Sequence, residues 1–198
     1  MAYQHKSIPP RERLIVALDV PTPEAALGLV GELGDAVVFY KIGLELFMTG
    51  GYFELVEQLA ARDKKIFCDL KFFDIPNTVA SAVRQFNELP VQFCTVHGND
   101  GMMAAAAEAA DSVQVLAVTA LTSLDRGDLD DLGFQCDVEA LVLSRARRAL
   151  AVGCAGVVSS GLEVPRLRAE VDHALVTVCP GIRPVLNQDD DQKRAVDV

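Results

Sequence analysis

The sequence predicts an α/β protein whose parallel strands close into a barrel. Three observations carry this expectation. Short apolar runs alternate with longer amphipathic segments, the runs are continuous instead of alternating with polar residues, and polar side chains collect at their C-terminal ends. Alternating βα units joined by right-handed crossovers make a parallel sheet. Strands covered on both faces read as unbroken apolar runs. An open doubly wound sheet also has this rhythm, but no GxGxxG follows the first run, and that motif marks the dinucleotide-binding form. Asp19, Lys41, Asp69, Lys71, His97, Thr119, Thr122 and Ser159 all fall at or just past the ends of successive runs. Those ends converge on one site only in a barrel.

Residues 1–12 are polar and are expected to form an N-terminal extension, with a single barrel domain over 13–198. The strand-like runs are LIVALDV (14–20), VVFYKIG (37–43), KIFCDLK (65–71), VQFCTVHG (91–98), VQVLAVTAL (113–121), AGVVSS (155–160) and ALVTVCPGI (174–182). Between them lie helix-like segments. PTPEAALGLVGELG offers Thr22 as N-cap and Pro23 at the first helical position. GYFELVEQLAARD places apolar residues at 52, 55, 56 and 59, a helical spacing. IPNTVASAVRQFNEL, DGMMAAAAEAAD and DVEALVLSRARRALAVG continue the pattern, LEVPRLRAEV is shorter, and DRGDLDDLGF reads as a polar insertion with one extra turn. A (β/α)8 TIM barrel needs an eighth strand, and the chain stops at Val198 soon after the seventh run. The eighth βα unit is therefore expected to be absent.

Hydrophobic residues make up 51% of the 198 residues, enough for one large core. The formal net charge of −10 argues against nucleic acid or an anionic membrane as partner, because both need a basic footprint. Five cysteines, an odd number with no close spacing, suggest neither a disulfide framework nor a zinc site. With no apolar leader-like segment at the N-terminus, a soluble cytoplasmic protein is expected.

The stretch FCDLKFFDIPNT places Asp69, Lys71 and Asp74 at the end of the third run. Side chains two apart on a strand share a face, so Asp69 and Lys71 should both point toward the barrel mouth. Lys41 ends the preceding run at the same rim, and Asp19 ends the first. A lysine among carboxylates is a positioned ammonium, suited to donate a proton in a partly dry cleft. A salt-bridge network that merely closes the mouth is the plainer reading. Buried charges are costly, however, and cluster at functional sites. In PGIRP, Gly181 frees the backbone and Arg183 is a fixed cation, in a loop position that often holds phosphate in such barrels. His97 is expected to be a hydrogen-bonded interior residue, SRARR (144–148) a solvated helix edge, and Asp189 to Asp191 a solvated loop rather than a metal site.

In this order, ALDV, YKIGLELF, DLKFFDIPNT, TVHG, VLAVTALTS and PGIRP resemble the orotidine 5′-phosphate decarboxylase family over roughly residues 13–194. The resemblance implies a homodimeric (β/α)8 barrel that uses no metal or organic cofactor and converts orotidine 5′-monophosphate to uridine 5′-monophosphate in pyrimidine synthesis. It implies that Lys71 protonates C6 of the pyrimidine and that Asp69 holds Lys71 against the departing carboxylate. Asp19 and Lys41 would bind ribose hydroxyls and join the charge network. Ile75 and Thr78 would bind substrate, and Asp74, a catalytic residue, and Thr78 would reach across the dimer interface into the partner's site. Thr122, Pro180, Arg183 and Gln192 would hold base and phosphate. The family's eighth strand, ending in a phosphate-gripping Gly-Arg, has no counterpart in this sequence. Two rival readings remain at this level: a Mg²⁺-dependent sugar-phosphate decarboxylase or aldolase with the same D-x-K-x-x-D core, and an inactive truncated barrel that only binds ligand or dimerises. An ammonium at position 41 cannot ligate a cation, which counts against the first.

Overall fold

Each sequence run becomes a strand of one parallel sheet. The structure, a computed structural model, describes residues 7–182. The strands are β1 (Val16–Ala17), β2 (Phe39–Gly43), β3 (Lys65–Phe72), β4 (Phe93–His97), β5 (Gln114–Val118), β6 (Gly156–Val158) and β7 (Val176–Val178), paired in sequential order and all parallel. All but β3 are shorter than the apolar runs, and in β1, β5, β6 and β7 the residues at the C-terminal rim leave the ladder to enter loops. Asp19, Ser159 and Pro180 all lie just beyond their strands. No eighth strand lies among the described residues, where β1 and β7 form the two edges of the sheet.

The helices are α1 (Pro23–Leu33), α2 (Leu44–Met48), α3 (Tyr52–Ala60), α4 (Pro76–Phe86), α5 (Asp100–Ala109), α6 (Arg126–Asp131), α7 (Val138–Ala151) and α8 (Val164–Glu170). Thr22 caps α1 as expected, its Oγ1 accepting from Ala25 N at 3.2 Å with Pro23 at the first position. The polar insertion holds α6, closed by a reciprocal capping box between Asp125 and Asp128. The short α2 is an element the strand-and-helix rhythm does not reveal, since it begins immediately after Gly43 with no polar spacer.

Two apolar layers sandwich the sheet. The larger packs helices against its outer face, through Ile42, Leu55, Ile66, Val83, Met103 and Val142 among others. The smaller is the inward face: Phe39, Phe67, Phe93, Leu116, Val118, Val158 and Val176, drawn from β2 through β7, form a single cluster. That contact reports curvature. Neighbouring strands lie about 4.8 Å apart, so in a flat sheet β2 and β4 would be roughly 9.6 Å apart. The rings of Phe39 and Phe93 are nevertheless stacked with centroids 5.5 Å apart. The sheet has curled until side chains of alternate strands touch on its inner face, as they do in barrel interiors.

Free cysteines pack as small hydrophobes. Cys68, Cys94 and Cys154 are buried in the outer layer, and burial pushes each thiol up to about 12. All five cysteines are unbridged.

Where β6 meets β7 the backbones approach so closely that only glycine fits. A Cβ on Gly156 would stand 2.7 Å from Cβ of Val176 and nearer still to its carbonyl oxygen. Gly156→Ala is expected to cost at least about 1–3 kcal/mol, the usual range for overpacking. It should appear as a lower urea midpoint with little change in the slope of the unfolding curve.

Candidate active site

The site is built on a break in β3. The β3–β4 ladder shifts register between Cys68 and Phe72, and Lys71, inside the shift, has φ of +49°. A non-glycine residue in the left-handed region costs about 1–3 kcal/mol unless its surroundings hold it there. Here they do. The Lys71 main-chain N–H donates to Thr95 Oγ1 at 2.9 Å. The Thr95 hydroxyl donates to Asp69 Oδ1, also at 2.9 Å. Asp69 Oδ2 accepts from Lys71 Nζ at 2.8 Å. These three bonds make a closed ring. Backbone and side chain of Lys71 are tied to the two ends of one carboxylate, and Thr95 of the next strand locks the carboxylate plane.

The ring extends along the rim. Lys41 Nζ lies 2.8 Å from Asp19 Oδ1 and 4.0 Å from Asp69 Oδ2. Charges therefore alternate in the order Asp19, Lys41, Asp69, Lys71 across β1, β2 and β3. Asp69 is only 7% exposed, whereas both lysines are half-buried and Asp19 is open to solvent. The buried anion thus has two cations and a hydroxyl around it, which offsets its desolvation.

The expectation that Asp69 and Lys71 share a face holds at the level of contact, but strand alternation alone does not bring them together: the register shift does. Asp19, Lys41, Asp69, Lys71, Thr122 and Pro180 line one continuous cavity of about 1600 Å³, which runs from the rim down the inside of the sheet to its base. Thr122 is buried and Pro180 half-buried. Arg183 and Gln192, and with them most of the expected phosphate loop, lie outside the described residues.

Asp74, Ile75 and Thr78 are not brought to this cavity. All three are exposed, Ile75 at 67%. Asp74 Oδ1 accepts from the Ile75 N–H at 2.6 Å, and among the described residues no cation pairs with it. Lys71 is thus held by one carboxylate of its own chain, not flanked by two. The DIPNT segment turns outward because Pro76 opens α4, and the residue before a proline is held extended: Ile75 has ψ of 148°.

Two further expectations need correction. His97 makes no side-chain hydrogen bond among the described residues; its ring packs edge-on against Phe73, with centroids 5.0 Å apart. SRARR is not uniformly solvated, because Arg145 is half-buried and donates from Nη1 to Thr119 O at 2.7 Å. Thr95 is the site residue that strand-end reasoning misses, since it lies inside β4, two residues before its end, and acts only through the neighbouring strand. Its signal is a lone hydroxyl on the inward parity of an apolar run.

A curled parallel sheet whose C-terminal rim carries alternating carboxylates and ammoniums over a deep cavity defines a (β/α)-barrel enzyme site. The comparisons with known proteins agree. The family model described as orotidine 5′-phosphate decarboxylase / HUMPS family matches residues 12–197. The chain is 65% identical over 195 residues to the orotidine 5′-phosphate decarboxylase of Methylococcus capsulatus, covering 98% of this chain and 81% of that protein. It is 49% identical to the enzyme of that name from Xanthomonas oryzae, covering 94% and 78%. The crystal structure of orotidine 5′-phosphate decarboxylase from Lactobacillus acidophilus superposes with a TM-score of 0.79 at 35% identity, over 86% of this chain and 81% of that one. The chain belongs to the orotidine 5′-phosphate decarboxylase / HUMPS family.

The Thr95 hydroxyl serves two partners at once. Thr95→Val keeps the shape but strips a hydrogen-bond acceptor from Lys71 N and a donor from Asp69. It should cost about 1–3 kcal/mol in denaturant unfolding, while Thr95→Ser restores most of the loss. His97 supplies a pH signature. Burial lowers its pKa below the ordinary 6.5, and Arg145 and Lys71 repel the imidazolium, with Asp69 partly opposing them. As pH falls the unfolded chain therefore takes up this proton first. The stability contributed by the neutral ring is complete above about pH 6.5 and is lost as pH drops through the folded value. Urea midpoints measured against pH should show this acid-side loss in the native chain and not in His97→Gln.

Proposed function

We propose that this chain catalyses the decarboxylation of orotidine 5′-monophosphate to uridine 5′-monophosphate, with Lys71 as the proton donor. The observation that carries the reading is the closed ring of Asp69, Lys71 and Thr95 at the cavity mouth. Breaking the bond between C6 and its carboxylate releases carbon dioxide and leaves the electron pair on C6. That pair takes a proton from the Lys71 ammonium, and the amine is reprotonated from solvent. The balance consumes one proton and involves no oxidant or reductant, in keeping with an enzyme that needs no cofactor.

The physical support is preorganisation. A carbanion at C6 is poorly delocalised, so a fixed cation beside it lowers the barrier more than one that must be recruited from water. The ring gives the ammonium no freedom to swing away. Asp69, itself immobilised, would stand beside the departing carboxylate. Lys41 and Asp19 would take the ribose hydroxyls, and Thr122 and Pro180 the base. Arg183 and Gln192 would reach the phosphate, whose binding helps fix the reacting end.

The outward DIPNT segment favours a homodimer in which Asp74 and Thr78 enter the partner's cavity and Ile75 lies at the interface. Phe73 is 64% and Ile75 67% exposed, and Leu44, Phe47 and Met48 of α2 are exposed as well. Both segments follow neighbouring strands at the same end of the sheet, so together they offer an apolar face for a second copy. A barrel domain over 13–198 behind a short polar extension, working in the reducing cytoplasm with its thiols free, completes the proposal. Among the described residues no helix is long and apolar enough to cross a membrane.

One experiment tests donor and dimer together. Lys71→Ala should lower the rate of uridine 5′-monophosphate formation by at least about 10²–10⁴-fold, the usual worth of a positioned general acid. Asp74→Asn should be similarly impaired. Mixing the two inactive variants should restore part of the activity, since a hybrid dimer holds one site with both residues intact. An undiminished rate in Lys71→Ala would refute the donor assignment, and a mixture that stays inactive would refute the shared site.

A further inference from the structure

Arg145 is the least expected side chain near the site. It lies in the middle of α7, on the outer layer, yet its stem crosses the C-terminal end of β4. A Cβ on Gly98 would meet Arg145 Cδ at 2.8 Å and Val118 O at 2.9 Å. Gly98 leaves the passage through which the arginine runs. Beyond it, Nη1 donates to Thr119 O at 2.7 Å, just past the end of β5. Carbonyls at that end of a parallel strand have run out of ladder partners, and a guanidinium is well shaped to supply one.

Thr119 is gripped from the other side too. Its N–H and its hydroxyl both donate to Val158 O of β6, at 3.2 and 3.0 Å. The guanidinium carbon also sits 5.5 Å from the ring centre of Phe134, within cation–π range. Phe134 closes the polar insertion that begins after β5. One side chain therefore fastens both ends of the segment from Thr119 to Phe134. Thr122, three residues past the fastened carbonyl, is buried and lines the cavity.

We propose that Arg145, through Thr119 and Phe134, is a positioning residue that sets the Thr119–Thr122 segment at the height where Thr122 meets the base of the bound nucleotide. The inference rests on the assignment of Thr122 to the base. Arg145 touches no substrate. It fixes the segment by a charge-assisted bond to a carbonyl and by packing, neither of which depends on the catalytic lysine.

The test compares two ligands that differ only at the base end. Uridine 5′-monophosphate carries a base, and ribose 5-phosphate does not. Arg145→Met keeps the stem over Gly98 and removes the fork. It should weaken uridine 5′-monophosphate binding about tenfold, the worth of one charge-assisted hydrogen bond, and leave ribose 5-phosphate binding unchanged. Thr122→Ala should show the same selectivity. Equal losses for both ligands in Arg145→Met would mean general loosening and overturn the proposal. No loss in Arg145→Met beside a selective loss in Thr122→Ala would overturn the proposal and leave the Thr122 assignment standing. No selective loss in Thr122→Ala would instead overturn that assignment, and the base-end role of Arg145 with it. Should Arg145→Met fail to fold, Arg145→Lys, which keeps the charge and loses the planar fork, is read by the same ligand pair.

Discussion

The bond between the Thr95 hydroxyl and Asp69 Oδ1 is the constraint on which the site depends. It joins two strands through side chains at the point where their backbone ladder has lost register. Without it the Asp69 carboxylate could rotate about its own bond, and the Lys71 amine would follow. With it, the carboxylate plane is set by β4, the amine by the carboxylate, and the Lys71 backbone by the same hydroxyl. The geometry of the site is thereby held by hydrogen bonds within the strands instead of by loops. Sites on rigid elements keep their distances better than sites on loops.

The strained Lys71 backbone fits this view. A bulge re-aims a side chain at the end of a strand, and here it places an ammonium over a carboxylate two residues earlier. The left-handed φ is unfavourable by itself, but its N–H, freed from the ladder, is satisfied at once. Beneath the rim, Phe39 stacks on Phe93 and Phe67 meets Phe93 edge-on, contacts that accompany the curl of β2 to β4. The same curvature brings Asp19, Lys41 and Asp69, from three strands, into one row of contacts. Packing and chemistry are consequences of one bend in the sheet.

The rim is asymmetric. Around β1 to β3 it is charged and faces the cavity, and its loops turn apolar residues outward. Around β4 to β6 it is buttressed from behind, where Arg145 threads past Gly98 to the end of β5 and Glu163, itself buried, accepts from Ser159 Oγ at 2.8 Å. The charged half thus presents exposed apolar residues outward, and the other half is stiffened by its own helices. His97 stands between the halves, packed on Phe73, with burial and the nearby Arg145 and Lys71 disfavouring its imidazolium form.

By itself the sequence determined the order of seven strands, the helical cap at Thr22, and the clustering of Asp19, Lys41, Asp69 and Lys71 at one rim. These follow from periodicity and from the polarity of strand ends, which are local properties. The tertiary structure decided the rest. Thr95 belongs to the site only because β4 pairs with β3 in a shifted register, and register is a relation between distant segments. Arg145 reads as one more basic residue on a helix edge until the curl of the sheet brings Thr119 O within its reach. Asp74 stands three residues from Lys71 in the chain yet faces away from it, because Pro76 holds Ile75 extended and starts a helix in another direction. Each of these depends on where a second segment lies, and one-dimensional spacing carries no such information.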